Sequence, residues 1–214
     1  MSLVAVGGCT RMDSVSRPRS NSAQARGVDE WVIAGHDGST SRIRFRFPPP
    51  HDTYGGAVNR IGGGLFLQTH PGESLGLGSF VVSVRDVDMG EADLNQNVRY
   101  NAECLRGQDF PNISYSIESI TARPSDGEDR GSTLVTLHGR FKLKGVEIPL
   151  RIEATFTLDR DDAGRARLLM TGKFSLEKLQ ETFGVFGAGE PGDPAGDRLL
   201  LEFDFTLVPS GSPS

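Results

Sequence analysis

From Trp31 onward the side chains alternate between apolar and polar with a period of two, in one segment after another. Arg42-Ile43-Arg44-Phe45-Arg46-Phe47 alternates without a break, and residues 80–85, 113–117, 135–144, 148–158, 168–175 and 199–207 repeat the pattern. Successive Cβ atoms of an extended chain point to opposite faces, so each segment predicts a strand with one buried and one wet side. Adding residues 64–70 makes eight strands. The links between them are hairpin-like: Lys144-Gly145 is a minimal turn, and residues 159–164 and 124–131 are polar, Gly-containing loops. Consecutive hairpins imply an antiparallel, up-and-down order. Eight such strands form a sandwich or close into a barrel, and closure removes the exposed edges. The period breaks over residues 89–104, where Leu94, Val98 and Ala102 recur every fourth residue, which predicts a short helix. Residues 176–183 predict a second. The fold class is therefore all-β, an eight-stranded antiparallel barrel with one or two short helices.

The strands are long. Nine residues from Val135 to Leu143 span about 30 Å at ~3.3 Å per residue. The aromatic set is twelve Phe against three Tyr and one Trp, so the large rings carry almost no polar handle. Eight of the Phe (Phe45, Phe47, Phe80, Phe141, Phe156, Phe174, Phe203, Phe205) fall at inward parity. Gly139, Ala154 and Gly172 share that parity among bulky neighbours. Either they leave room inside the barrel, or they mark bends and tight packing of a solid core; the residues alone leave both open.

Several functions are excluded or left without support. Twenty-three Lys and Arg against 28 Asp and Glu give a net charge of −5, whereas nucleic-acid binding usually goes with a basic face. No run approaches the ~18 apolar residues of a membrane-spanning helix. His36, His51, His70 and His138 lack a ligand spacing, and no metal or cofactor is expected. Asp159-x-Asp161-x-Ala163-Gly164 looks like a calcium loop but has Ala163 at its fifth position and Met170 at its twelfth, which leaves too few ligands; a hairpin is expected there. The run Ile61-Gly62-Gly63-Gly64 lacks the Lys and Ser/Thr of a phosphate loop and reads as a turn. No Gly-x-Ser-x-Gly elbow occurs, so no catalytic constellation is found and an enzyme is not expected. Arg42, Arg44 and Arg46 make a basic stripe that is either a wet strand face or a seat for an anionic headgroup.

The first 27 residues stand apart. Leu3 to Gly8 resembles the end of a signal-peptide apolar region, and Val6-Gly7-Gly8-Cys9 resembles a bacterial lipobox, in which the Cys becomes lipidated. The apolar stretch is shorter than a signal needs and lacks a basic flank, and a start codon placed too late accounts for both. The alternative is a disordered N-terminus with an incidental Cys. Residues 10–26, rich in Ser and Arg, read as a solvated linker. The domain boundaries are then 1–27 for signal remnant and linker, 28–210 for the barrel and 211–214 for a tail. If Cys9 carries lipid, Cys104 is left without a disulfide partner.

Four stretches resemble the YceI-like family. Phe110-Pro111-Asn112-Ile113-Ser114-Tyr115 is similar to its Tyr/Phe-Pro-x-Ile-x-Phe strand start. Residues 138–150, His-Gly-Arg-Phe-Lys-Leu-Lys-Gly-Val-Glu-Ile-Pro-Leu, resemble its Gly-x-Leu-Thr-Ile-x-Gly-Val-x-x-Pro-Val pair. Phe174-Ser175 followed by Phe183-Gly184-Val185 resembles its late Phe-Gly-Val segment, and Ser41-Arg42-Ile43-Arg44-Phe45 its opening. The four occur in the family's order across roughly residues 30–208. The resemblance implies a lipocalin-like barrel, export to the periplasm or cell envelope, and in some members a polyisoprenoid or other long-chain amphiphile in an elongated apolar tunnel. It thereby favours a cavity over a solid core. The expected lining is Phe45, Phe47, Phe80, Val82, Tyr115, Leu137, Gly139, Phe141, Ala154, Phe156, Met170, Gly172, Phe174, Phe203 and Phe205. The expected function is non-enzymatic binding, carriage or sequestration of a polyisoprenoid or fatty-acid-like lipid, with membrane anchoring through Cys9. The alternative is a ligand-free envelope stress or interaction protein. Oligomeric state stays open, a homodimer included. Two departures stand out. Ala102-Glu103-Cys104-Leu105 occupies the place of the family's Asp-x-His-Leu, and residues 48–64 are rich in Gly and Pro where the family has strand.

Overall fold

The computed structural model describes residues 28–34, 41–68, 75–122, 131–190 and 192–211. Within them the chain forms β1 (Val28–Ile33), β2 (Arg42–Arg46), β3 (Gly55–Val58), β4 (Ile61–Gln68), β5 (Gly76–Ser83), β6 (Val87–Asp88), α1 (Ala92–Tyr100), β7 (Asn112–Ala122), β8 (Ser132–Leu143), β9 (Val146–Arg160), β10 (Ala166–Glu177), α2 (Leu179–Phe183) and β11 (Arg198–Pro209). Every pairing is antiparallel. Strands β1, β4, β5, β7, β8, β9, β10 and β11 follow one another round a ring, and β11 returns onto β1 to close an eight-stranded barrel.

Three of the eight staves are broken in two. Strand β11 pairs with β1 near Leu207 and with β2 over Leu200–Asp204. In the same way β3 pairs with β2 where β4 pairs with β1, and β6 pairs with β3 where β5 pairs with β4. The order ends at β6. The wall is thus a closed ring at the β1–β4 end and stops at β6 at the other, and there α1 follows. Asn95 ties the helix to that edge: its Oδ1 accepts from Met89 N at 2.6 Å and its Nδ2 donates to Asp88 Oδ1 at 3.0 Å. Arg99 Nε also donates to the Val87 carbonyl at 2.7 Å. The Asn95 and Gly90 N–H donors hold the Asp88 carboxyl below its ordinary value.

The barrel, its strand count and its two short helices match expectation; four local features do not. The glycine run 62–64 is strand, inside β4, and not a turn. Gly63 has φ +111°, and a Cβ there would lie 2.0 Å from the Ser79 carbonyl oxygen, so glycine lets β4 and β5 approach. Strand β1, VDEWVI, hides its pattern because its acids Asp29 and Glu30 are adjacent and only Trp31 is buried. Strand β3 offers one apolar anchor, Val58. A bulge between Ile117 and Ser119 of β7 shifts the buried parity from Ile117 to Ile120. The loop expected over 124–131 lies almost wholly outside the described residues, as do residues 1–27, His36 and His70.

The hairpin residues behave as their chemistry requires. Lys144 (φ 49°) and Gly145 (φ 82°) are both left-handed, as in the two-residue turn that matches strand twist. Asp161 Oδ1 accepts from Ala163 N and Arg165 N, closing the β9–β10 loop as a hairpin. Outside, the barrel carries ion pairs between neighbouring strands, among them Arg140–Glu147 and Lys173–Glu202. The stripe Arg42–Arg44 belongs to this set: Arg42 and Arg44 reach Asp204 at 3.4 and 3.3 Å, and Arg44 reaches Glu202 at 3.7 Å. It is a wet face, paired across to β11.

Candidate functional site: an apolar cavity under the helix

The interior divides at mid-height. At the closed end Leu65, Ile120, Val135 and Leu207 are fully buried and meet Trp31, Phe156 and Leu168 in a solid plug. At the helix end the barrel holds a cavity of about 440 Å³, within the usual range for small-molecule sites.

Eleven of the fifteen expected residues border it: Phe45, Phe47, Phe80, Val82, Tyr115, Leu137, Phe141, Met170, Phe174, Phe203 and Phe205. Their rings make a continuous path. Phe80 meets Phe205 at 4.9 Å, Phe205 meets Phe203 at 5.0 Å, Phe203 meets Phe174 and Phe174 meets Phe141 at 6.4 Å, and Phe141 meets Phe183 of α2 at 6.1 Å. Such tilted and edge-on pairs hold rings in place beyond their area burial.

Four expected residues stand outside the cavity wall. Phe156 and Ala154 lie toward the plug, with Ala154 in register beside Val135. The space at Gly172 is already filled, since a Cβ there would lie 2.4 Å from the Phe203 ring. At Gly139 a Cβ would lie 2.1 Å from the Ser116 carbonyl oxygen, so this glycine allows close approach of β8 and β7 beside the bulge. Gly139, Ala154 and Phe156 are buried and Gly172 is half-buried, but the free space does not lie beside them.

The mouth is built from segments outside the barrel strands. Leu94, Asn97 and Val98 of α1, Asn101, Glu103, Cys104 and Leu105 after it, Tyr54, and Val185 to Gly189 all contribute. Of these, Leu94 and Val98 are legible from their four-residue spacing, and residues 103–105 and Val185 only through the family resemblance. The turn after α1 is fastened from two sides. Phe186 N donates to the Glu103 carbonyl at 2.7 Å. Lys144 Nζ, projecting from its hairpin, donates to the carbonyls of Ala102 at 2.8 Å and Gly184 at 2.5 Å. Partial burial holds the Lys144 ammonium below its ordinary value. Cys104 borders the cavity as a free thiol, pushed upward by burial and eased by Lys144; the lipid-attachment candidate Cys9 lies outside the described residues. On the far side His51 Nε2 meets Asp193 Oδ2 at 2.6 Å. This joins the 48–54 loop to the 187–197 loop, both of which supply mouth residues.

Inside, polar groups are few. The Tyr115 hydroxyl reaches the carbonyls of Leu137 at 3.0 Å and Leu150 at 3.1 Å. Burial, with the Glu118 charge, pushes its proton loss well above the usual phenol range, so it remains a neutral donor already committed to backbone. Among the described residues no three His, Cys, Asp or Glu converge on a point that would hold a metal ion. What the arrangement can do chemically is enclose an apolar chain and meet its end with amides and carbonyls.

A family model described as YceI-like domain matches residues 35–207. Among solved structures, the chain is similar to Burkholderia cenocepacia BcnA, at 16% identity over 80% of this chain and 99% of that one, with a TM-score of 0.61. It is also similar to a polyisoprenoid binding domain from Saccharophagus degradans implicated in plant cell wall breakdown, at 10% identity over 85% and 99%, TM-score 0.55. A mutant Campylobacter jejuni YCEI protein with a monobromobimane guest aligns at 8% identity over 98% and 94%, TM-score 0.56. At these identities the likenesses concern the fold. No curated protein matches.

Proposed function

Because the chain belongs to the YceI-like family, we propose that it is a non-enzymatic binder of a long-chain lipid. The chain would be sequestered or carried with its apolar part in the half-barrel cavity. One observation carries this: a cavity of about 440 Å³, walled by linked Phe rings, opens under α1 in a barrel whose other half is solid. Burying roughly ten methylene-sized units at ~0.8 kcal/mol each gives about 8 kcal/mol, the micromolar scale before the costs of ordering the ligand. A polar contact of unusual strength is not needed. The domain from Saccharophagus degradans is described as polyisoprenoid binding, which supports an isoprenoid chain as the first ligand class to test. The plug limits how much of a long chain is enclosed, so the remainder emerges past α1.

Native mass spectrometry of the protein as purified from a bacterial envelope, followed by solvent extraction, tests the reading. A co-purifying lipid of defined mass is expected, and a chain that is ligand-free from every source and takes up no added isoprenoid would sink it. The same reading puts the protein in the cell envelope, held through a lipid on Cys9. With the start extended upstream, Cys9→Ser should move the protein from the membrane to the supernatant fraction; unchanged partitioning counts against the anchor.

A further inference from the structure

Helix α1 covers the cavity without being built into the core. None of its nine residues is fully buried, and it borders the cavity through Leu94, Asn97 and Val98. The residue before it, Glu91, makes no side-chain capping bond. A helix this short is marginal by itself, so its position depends on how its two ends are fastened.

The ends are fastened differently. After the helix, Leu105 is buried and its N–H returns to the Val98 carbonyl at 3.0 Å. Gly107 N donates to the Arg99 carbonyl at 2.6 Å, and a Cβ at Gly107 would lie 2.7 Å from the side chain of Val84, itself buried. Lys144 and Phe186 N hold the carbonyls of Ala102 and Glu103. This end is packed into the barrel. At the start of the helix the tie is Asn95, which accepts from Met89 N and donates to Asp88 Oδ1. Asp88 is exposed, so water competes for that bond. Gly90, between β6 and α1, has φ +83° and no neighbouring group within 4 Å of where a Cβ would sit. It can absorb a change of direction without displacing anything. Residues 89–91 span up to ~10 Å when extended, enough slack for an alkyl chain to pass. The strand order ends at β6, so a gap there leads straight inside.

We propose that α1 is the door of the cavity. It pivots on the packed Arg99–Gly107 end, and Asn95 is the latch that holds its first turns against β6. This rests on the carrier reading above and gives it a route of entry and release. Asn95 itself stands off the cavity wall, so it is a positioning residue. A latch bonded alike over a filled and an empty cavity sets how often the door opens and leaves affinity for an enclosed molecule unchanged.

That gives the test a signature in rates. Delipidated full-length protein is mixed by stopped flow with 1-N-phenylnaphthylamine, a small apolar fluorophore, and release is followed on dilution. In Asn95→Ala both rate constants should rise about tenfold, equivalent to ~1.4 kcal/mol of latch strength, with Kd within about twofold of the parent. Amide exchange should quicken over residues 94–98 and stay unchanged in β10 and β11. Asn95→Asp, which sets a second carboxylate against Asp88, should give the same pattern. A rise in release alone, with weaker binding, would make Asn95 part of the binding site and overturn the latch. Unchanged rates in both variants overturn it too and leave the carrier reading standing. A parent protein that takes up neither the fluorophore nor farnesol overturns the carrier reading itself.

Discussion

Thr136 buries its hydroxyl in β8 with no hydrogen-bond partner among the described residues, on the face opposite Val135 and Leu137. A buried, unsatisfied hydroxyl carries a desolvation cost that an isosteric methyl does not. Thr136→Val should raise stability by about 1 kcal/mol, read as an increase in Tm of roughly 2–4 °C for a domain of this size. Gly139 should behave oppositely. Its parity suggested vacant space, but the space belongs to the β7 backbone, 2.1 Å from where a Cβ would sit. Gly139→Ala should cost about 1–3 kcal/mol through overpacking, seen as a lower Tm in thermal melts, with the retained folded fraction still able to take up ligand. A gain in stability would show that the strands can part cheaply there. Parity is written in the sequence, and it placed Phe141, Phe174, Phe203 and Phe205 on the cavity wall. Whether a small inward residue leaves a gap depends on how closely its neighbours approach, and no local pattern records that; Gly172 loses its gap to the Phe203 ring.

At the scale of elements, the strands read most clearly are those whose two faces differ along their whole length. Strands β8 to β11 run 12, 15, 12 and 12 residues with nearly unbroken alternation. Strands β1, β3 and β6 are short halves of broken staves, with too few apolar anchors to show a period. Their pairing comes from the long strands that template them. The mouth is obscure for a related reason: the Val185–Gly189 segment has no repeat and is placed by backbone bonds to Glu103 after α1, to Leu179 of α2 and to Gly196. Lys144 serves two ends, since its backbone makes the left-handed turn and its ammonium fastens the segments after α1 and α2. Lys144→Asn separates these roles, because Asn tolerates the left-handed region. The hairpin should form as before while amide hydrogen exchange quickens around residues 102–105 and 184–186. Unchanged protection would mean that the Phe186–Glu103 backbone bond alone fixes the mouth.

For the whole molecule, the division into plug and cavity separates what holds the barrel together from what opens. The plug is continuous through β1, β4, β7, β8, β9, β10 and β11, so the mouth can loosen without unfolding it. The His51–Asp193 contact is a cross-mouth link in which a carboxyl is engaged. The hydrogen bond from His51, with the Ala195 N–H, holds the Asp193 carboxyl below its ordinary value of 3.8. A carboxyl lowered on folding contributes stability that is fully present above its unfolded value and is lost as pH falls through the folded one. The window is therefore below about pH 4 and not near neutrality. Asp193→Asn should accordingly loosen the mouth at pH 7, with faster release of a bound apolar probe in stopped-flow dilution and a modest drop in Tm. Both differences from the parent protein should shrink as pH falls below 3.8 and the parent's own carboxyl takes up a proton. If the gap between the two proteins instead stays constant into that range, the contact is spacing the loops by packing, through His51 against Gly189, and its charge is immaterial to opening.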